Sequence, residues 1–173
     1  MRKIAIIIGS VGDLSQCGPG LKLLKEAEEN IEVVGVFVRS QHRNTPETKK
    51  LLEELALIDV DIAIIAAHWA NNLTGCSDTF LRYDPKNDGP IIIGVSFSSK
   101  SNANHQKKIA SPITKIPGTQ VAYKGGRFIF VGKRGFAEAC GLAINGELPI
   151  TRTAKPELIA DFNLEEAIEI SGS

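Results

Sequence analysis

The stretch VRSQHRNTPE, residues 38–47, joins a strand pattern to a helix pattern and decides the class of fold. The preceding run IEVVGVFV, which starts at Ile31, is rich in β-branched residues and predicts a buried strand. The following run TPETKKLLEELALI predicts a helix with Thr45 as its N-cap and Pro46 at its first helical position. The apolar side of this helix carries Leu51, Leu52 and Leu55.

Polar residues fill the connection between this strand and this helix: Ser40, Gln41, His42, Arg43 and Asn44. In open α/β sheets, ligands bind at this position, outside the carboxyl ends of the strands. A hydroxyl, an imidazole and a guanidinium so close together indicate a small anionic ligand. For any one of these residues taken alone, a solvated loop is the alternative.

Further apolar runs have the strand pattern, and helical spacing separates them. Residues 3–9, KIAIIIG, form a continuous run of the kind that is buried on both faces of a parallel sheet, and similar runs begin at Val60 and Pro90. This alternation predicts an α/β fold: a three-layer, doubly wound, flavodoxin-like parallel sheet with helices on both faces. Loops at the carboxyl ends of the first three strands should then lie at one edge of the sheet, namely residues 9–13, 40–44 and 67–75.

The C-terminal part of the chain has a looser pattern. Residues 119–133 predict a fifth strand, and residues 136–144, rich in small side chains, predict a closely packed helix. Residues 155–170 predict an amphipathic helix, which either docks on a neighbouring subunit or packs against its own domain. We therefore expect a single α/β domain over residues 1–150 and a C-terminal helical extension over residues 151–173.

The composition is that of an ordinary globular chain. Lys plus Arg and Asp plus Glu each number 20, so no net charge favours nucleic acid or an anionic membrane, and we expect neither as a partner. No apolar run is long enough to span a bilayer, and the start of the chain lacks a signal-peptide pattern. Cys17, Cys76 and Cys140 are odd in number, which fits reduced thiols and a cytoplasmic location. A metal site is not expected, because the three histidines are widely spaced and no cysteines are paired.

The order of the loop motifs resembles one family: the purine-biosynthetic enzymes that carboxylate aminoimidazole ribonucleotide (AIR) or isomerise its N5-carboxy derivative. Residues 9–13, GSVGD, are similar to the family's G-S-x-S-D, and residues 40–46, SQHRNTP, to S-A-H-R/K-T-P with one inserted residue. Residues 66–75, AAHWANNLTG, are closer to the A-G-R-S-N-x-L-x-G of the direct carboxylases than to the glycine-rich loop of the mutases. Residues 111–118, SPITKIPG, are similar to S-I-x-x-x-P-x-G, so the resemblance covers roughly residues 3–148.

The sequence departs from the family pattern at several positions. Gly12 replaces a serine, and Gln41 replaces a small residue beside the histidine. Arg43 is typical of the mutase branch, whereas His68 and Trp69 stand where the carboxylases usually have glycine and arginine. This mixture is also compatible with a paralogue that has another substrate.

The resemblance implies roles for eight residues. His42 is implied as the catalytic base, and Ser10, Asp13, Ser40 and Arg43 as residues that bind the nucleotide. The third loop adds three substrate-binding residues, Asn71, Asn72 and Leu73.

Each of these assignments has a structural alternative. His42 could be an ordinary loop histidine, Arg43 a surface ion-pair partner, and Asp13 a helix cap or turn residue. The two asparagines suit a turn, because asparagine tolerates left-handed backbone. His68 and Trp69 either wall the pocket or, for Trp69, pack in the core or at a subunit interface. Free cysteines such as Cys76 and Cys140 are more typical of packing than of nucleophiles.

The function that the resemblance implies is carboxylation of AIR with carbon dioxide to 4-carboxy-AIR, in de novo purine biosynthesis. AIR is an enamine whose ring carbon attacks carbon dioxide without a metal or cofactor, and an imidazole then takes the proton from that carbon. The alternatives are the mutase reaction on the N5-carboxy compound and a paralogous non-catalytic nucleotide-binding protein. The implied partners are the ribonucleotide, carbon dioxide and further copies of the chain, in a tetramer or octamer.

Overall fold

The computed structural model describes residues 1–68, 71–83, 89–97, 113, 121, 130–148 and 159–172. The strands in these ranges are β1 (Arg2–Ile8), β2 (Ile31–Val38), β3 (Ile62–His68), β4 (Ile91–Phe97) and β5 (Phe130–Val131). The helices are α1 (Leu14–Glu26), α2 (Thr45–Leu57), α3 (Asn72–Tyr83), α4 (Gly132–Asn145) and α5 (Leu164–Ser171). A short 3₁₀ turn, Val11–Asp13, leads directly into α1.

The strands form one parallel sheet in the order β2-β1-β3-β4-β5. This order confirms the predicted doubly wound, flavodoxin-like sheet. The chain runs outward from β1 to β2 and then returns to β3 on the other side of β1. The connections that leave β1 and β3 therefore diverge, and a crevice opens at the carboxyl ends of these two strands.

Both faces of the sheet are buried, because successive side chains of each central strand point to opposite layers. Ile4, Ile6 and Ile8 of β1 belong to the same core cluster as residues of α1 and α4. Ala5 and Ile7 belong to the other cluster, which includes the buried leucines of α2 and α3. The continuous apolar runs of the sequence thus form strands covered on both sides, as predicted.

Two local predictions at the second strand and helix are corrected. β2 is an edge strand of the sheet, and several of its side chains are exposed, including Val33 and Val36. β-branched composition predicts a strand but does not distinguish an edge from a centre. The N-cap of α2 is Asn44 rather than Thr45, because Asn44 lies outside the helical backbone region while Thr45 is already the first helical residue.

The first helix, α1, begins at Leu14 and includes Pro19. The segment GSVGDLSQCGPG has the composition of a turn, yet α1 starts at Leu14. Its close packing on α4 explains the glycine at position 20: a Cβ there would lie 2.5 Å from a ring carbon of Phe136 and 2.7 Å from the Cys140 sulfur. Gly20 therefore permits the approach of the two helices that cover this face of the sheet.

The C-terminal helix is described only over Leu164–Ser171, a shorter span than the predicted 155–170. Every residue of it is exposed in the single chain, including Leu164 and Ile170. Of the predicted fifth strand, Phe130–Val131 is described, and the motif at 111–118 lies outside the described residues except for Ile113. In the described part of the chain, no helix has the length and apolarity needed to cross a membrane.

Candidate functional site

A cavity of about 700 Å³ lies at the carboxyl ends of β1, β2 and β3. Its lining comes from the first, second and third loops, which the sequence predicts to share one edge of the sheet. All eight residues singled out in the sequence lie in this lining, and four more join them: Gly9, Gln41, Ala67 and His68. The described part of the chain therefore brings the whole predicted set into one concave surface of a size that suits a small-molecule ligand.

The first and third loops meet at the carboxyl ends of the paired strands β1 and β3. The N–H of Gly9 donates to the carbonyl of Ala66 over 2.9 Å, which extends the sheet pairing by one residue. A Cβ on Gly9 would lie 3.0 Å from the Cβ of Ala67, so glycine allows the two backbones to approach closely at this point. The floor of the cavity is thus formed by backbone rather than by bulky side chains.

The second loop is folded by the side chain of Asn44. The Oδ1 of Asn44 accepts the backbone N–H of Ser40 over 2.5 Å, and the backbone N–H of Asn44 donates to the Ser40 carbonyl over 3.1 Å. The Asn44 carbonyl in turn accepts the Thr48 hydroxyl over 2.8 Å. This closed turn exposes His42 at the rim of the cavity, where the imidazole is open to a ligand and to solvent.

Arg43 connects the second loop to the first. Its Nε donates to the Ser40 hydroxyl over 3.3 Å, and its Nη2 donates to the Gly9 carbonyl over 3.4 Å. Both bonds are long, and the guanidinium has five N–H groups, so donors remain available. A positive, exposed fork at the mouth of the cavity is suited to a phosphate or a carboxylate.

The third loop is held by Asn71, which has a left-handed φ of 37°. Asn71 is buried, its Nδ2 donates to the Val95 carbonyl over 2.8 Å, and its Oδ1 accepts the Thr74 hydroxyl over 2.9 Å. These contacts occupy its amide and favour the turn alternative for this asparagine. Asn72 is half-buried at the start of α3, and Leu73 is buried and supplies apolar lining.

One contact in the cavity is missed by the sequence analysis: Asp13 hydrogen-bonds His68. The Oδ1 of Asp13 contacts the Nδ1 of the imidazole, and Asp13 is only 2% exposed. The Oδ2 of the same carboxylate accepts the Ser10 N–H over 3.0 Å, which is the turn role named as the alternative for Asp13. On its other side, the Nε2 of His68 lies 3.0 Å from the Nε2 of Gln16. Asp13 and His68 are 55 residues apart in sequence, and only the doubly wound sheet order indicates that they should meet.

Two thiols near this site are buried and unreactive in character. The Cys17 sulfur lies against the Asp13 carbonyl at 3.5 Å, and burial, with a smaller contribution from the charge of Asp13, raises its pKa to about 12. Burial likewise raises the pKa of Cys140 to about 12, with the neighbouring Cys17 adding to the effect. Both behave as small packing residues, as predicted for Cys140, whereas Cys76, for which the same was predicted, is exposed. Over the described residues, no group of three or more His, Cys, Asp or Glu side chains is arranged to hold a metal ion.

Comparison with known proteins gives a likeness of fold. No family profile and no curated protein matches the sequence. A crystal structure of Treponema denticola PurE superposes with a TM-score of 0.58 at 18% identity, covering 83% of this chain and 87% of that one. A crystal structure of a Treponema denticola PurE2 variant, with a serine replaced by aspartate, gives a TM-score of 0.59 at the same identity and coverage. At this identity the likeness establishes a shared fold over most of both chains.

Proposed function

We propose that this chain carboxylates AIR with carbon dioxide to give 4-carboxy-AIR. The observation that carries the proposal is the convergence of the three resembling loops on one cavity of about 700 Å³. The fold adds support, because a crystal structure of PurE, a protein of the AIR carboxylase and N5-carboxy-AIR mutase family, superposes on 83% of this chain. The motif resemblance and the fold likeness are independent of each other, since the first concerns loop residues and the second the backbone.

The chemistry asks for a nucleophilic carbon, a held electrophile and a proton acceptor. The enamine of AIR attacks carbon dioxide, and the new C–C bond leaves a proton on the same ring carbon. Loss of that proton restores the aromatic ring, with the electrons of the C–H bond returning to it. We assign this proton to His42, whose exposed imidazole at the rim can reach a ligand and accept a proton.

Charge and hydrogen-bonding groups around the cavity are assigned to the nucleotide. Arg43 is proposed to hold the phosphate, supported by the free donors of its fork and by the hydroxyls of Ser10 and Ser40 in the same lining. Asn72 is proposed to orient the carboxylate, and Leu73 to exclude water beside it. Asn71 acts through the loop it folds, since its amide already bonds Val95 and Thr74.

A second candidate function is the mutase reaction on the N5-carboxy compound. Arg43 favours it, because arginine at this position is typical of that branch in the resemblance described above. The third loop, which lacks the glycine-rich pattern of the mutases, favours direct carboxylation instead.

The deciding experiment offers the purified protein AIR and bicarbonate without ATP, and separately the N5-carboxy compound. We expect 4-carboxy-AIR to form from AIR, at a rate that rises with bicarbonate. If only the N5-carboxy compound is turned over, the mutase reaction replaces direct carboxylation as the proposed function. If neither compound reacts while AIR still binds, the chain is a nucleotide-binding paralogue.

A further inference from the structure

His68 has a more defined environment than His42. Its ring lies at the end of β3, with Asp13 at Nδ1 and Gln16 at Nε2, and its centroid is 5.9 Å from that of the Phe97 ring. Its side chain is 26% exposed, and the exposed part belongs to the cavity lining. An imidazole held on three sides and open on the fourth is preorganised for one geometry.

The partners of the two ring nitrogens decide the tautomer. An ionised carboxylate only accepts hydrogen bonds, so the contact with Asp13 requires a proton on Nδ1 of His68. The Gln16 atom at 3.0 Å from Nε2 is the amide nitrogen, a donor, so Nε2 is the acceptor and has its lone pair free of a proton. The ring is therefore a neutral base whose Nε2 lone pair accepts from the Gln16 amide, while the exposed part of the ring belongs to the cavity lining.

Gln16 can also hydrogen-bond the protonated ring of His68. When Nε2 of His68 takes a proton it becomes a donor, and the Gln16 amide then needs only to turn over and present its oxygen. The Asp13 carboxylate stays in place, because its second oxygen is fixed by the Ser10 N–H, and it stabilises the positive charge on the ring. Both protonation states of His68 thus have a complete set of hydrogen bonds in one structure.

We propose that His68, oriented by Asp13, is a second proton-transfer residue of this cavity, and that its Nε2 exchanges the Gln16 amide for the AIR amine when AIR binds. The assignment of its proton rests on the proposed function: His68 takes an N–H proton of the AIR amine as the ring carbon bonds carbon dioxide. The N–H electron pair then forms the C=N bond of an imine. When His42 removes the proton from the ring carbon, those electrons restore the ring, and the imine nitrogen takes its proton back from His68. The sum is AIR plus carbon dioxide giving 4-carboxy-AIR and one proton, which leaves on His42.

The first test reads the ring itself and needs no substrate. Nitrogen-15 NMR of the wild-type protein, with His68 assigned by its loss in His68→Asn, should show the neutral tautomer that is protonated at Nδ1. The other charged or titratable side chains in the described lining are Asp13, His42 and Arg43, so Asp13→Asn should change the tautomer or titration of His68, whereas His42→Asn should leave its tautomer unchanged. A neutral ring protonated at Nε2, or a tautomer and titration indifferent to Asp13→Asn in a protein that remains folded, would overturn the proposal.

The second test separates proton transfer from support of the loop. His68→Gln keeps a donor for Asp13 but cannot exchange a proton, so kcat should fall by about 10²–10⁴-fold with the Kd for AIR within about tenfold. The pH profile of kcat should lose the ionisation that His68 contributes and keep the one from His42. Full turnover in His68→Gln would make His68 a structural residue. If the wild type fails to turn over AIR, the proposed function and the amine assignment fall together, while the NMR result still decides whether His68 is the poised base.

Discussion

At the scale of single residues, neighbours in the second loop have different environments. His42 is exposed, and no side chain in the described ranges hydrogen-bonds its ring, whereas Arg43 bonds both Ser40 and Gly9. A catalytic base must be able to contact its substrate, and a cationic side chain that binds an anionic group must be held at the position of that group. The two adjacent positions are therefore expected to fail in different ways when changed.

We predict that His42→Asn lowers turnover of AIR by about 10²–10⁴-fold and leaves the Kd for AIR within about tenfold, because asparagine cannot take a proton near neutral pH. Arg43→Ala should do the reverse, weakening binding first, since the fork that recognises the phosphate is lost. Steady-state kinetics with separately measured Kd values check both variants. Unchanged turnover in His42→Asn would reduce this histidine to a loop residue.

The residues of the cavity are largely predictable from sequence, and their partners are not. Ser40, His42 and Arg43 follow a strand pattern directly, so their position at the sheet edge follows from the strand alone. The bond between Asp13 and His68 depends instead on β1 and β3 being neighbours, a fact of sheet order that no local pattern contains. The hydrogen bond from the Asn71 amide to β4 cannot be predicted from a local pattern for the same reason.

At the scale of elements, α1 and α4 pack closely against each other on one face of the sheet. Cys17, Gly20 and Leu24 form the buried side of α1, and Gly20 meets Phe136 and Cys140 of α4 with no space for a methyl group. Gly141 lies on the exposed side of α4, and a Cβ there would have no atom within 4 Å apart from its chain neighbours and the backbone of its own helix. The two glycines are thus a matched pair, one required by packing and one not.

We predict that Gly20→Ala destabilises the protein by about 1–3 kcal/mol, because the added methyl group would overpack the junction of α1 and α4. Gly141→Ala, in open space, should be neutral or raise the free energy of unfolding by up to about 1 kcal/mol through its helix propensity. Urea denaturation of the two variants beside the wild type measures the difference. Equal stabilities would mean that α1 and α4 do not meet at Gly20.

The sequence predicts strands and helices more readily than it predicts which of their faces are buried. A run such as IEVVGVFV is rich in β-branched residues, which predicts the strand, but the burial of the strand depends on what lies on both sides of it. Since β1 pairs with β2 on one side and β3 on the other, β2 is left at the edge with Val33 and Val36 exposed. The start of α1 at Leu14 is similarly a result of packing, which overrides the turn-like composition around Pro19.

At the scale of the whole molecule, the exposed apolar side chains concentrate in the C-terminal extension. Ile159, Leu164 and Ile170 are 87%, 72% and 66% exposed in the single chain. A helix with a capping box formed by Asn163 and Glu166, and with no buried side chain, gains little from its own domain. This is the condition in which a second copy of the chain is expected to supply the missing contacts.

We predict a closed, symmetric homo-oligomer, a tetramer or an octamer, as the resemblance implies. Light scattering on the full chain at micromolar concentration should give four or eight times the mass of the chain. Leu164→Glu combined with Ile168→Glu should lower that mass if α5 makes the contact, whereas Glu165→Gln, in the same helix, should not. A monomeric wild type would contradict the prediction.

The alternation of side chains along the central strands limits how this chain can change in length. Ala5 of β1 pairs with Ala63 of β3 on one face of the sheet, while the isoleucines on either side of Ala5 point to the other face. A single inserted or deleted residue within β1 would exchange the two faces and bring isoleucine into the space that the paired alanines occupy. After the strand ends, no such rule applies, and the extra Asn44 has become the residue that closes its loop. We therefore expect a change of length to be better tolerated in the loops at the rim of the cavity than within β1.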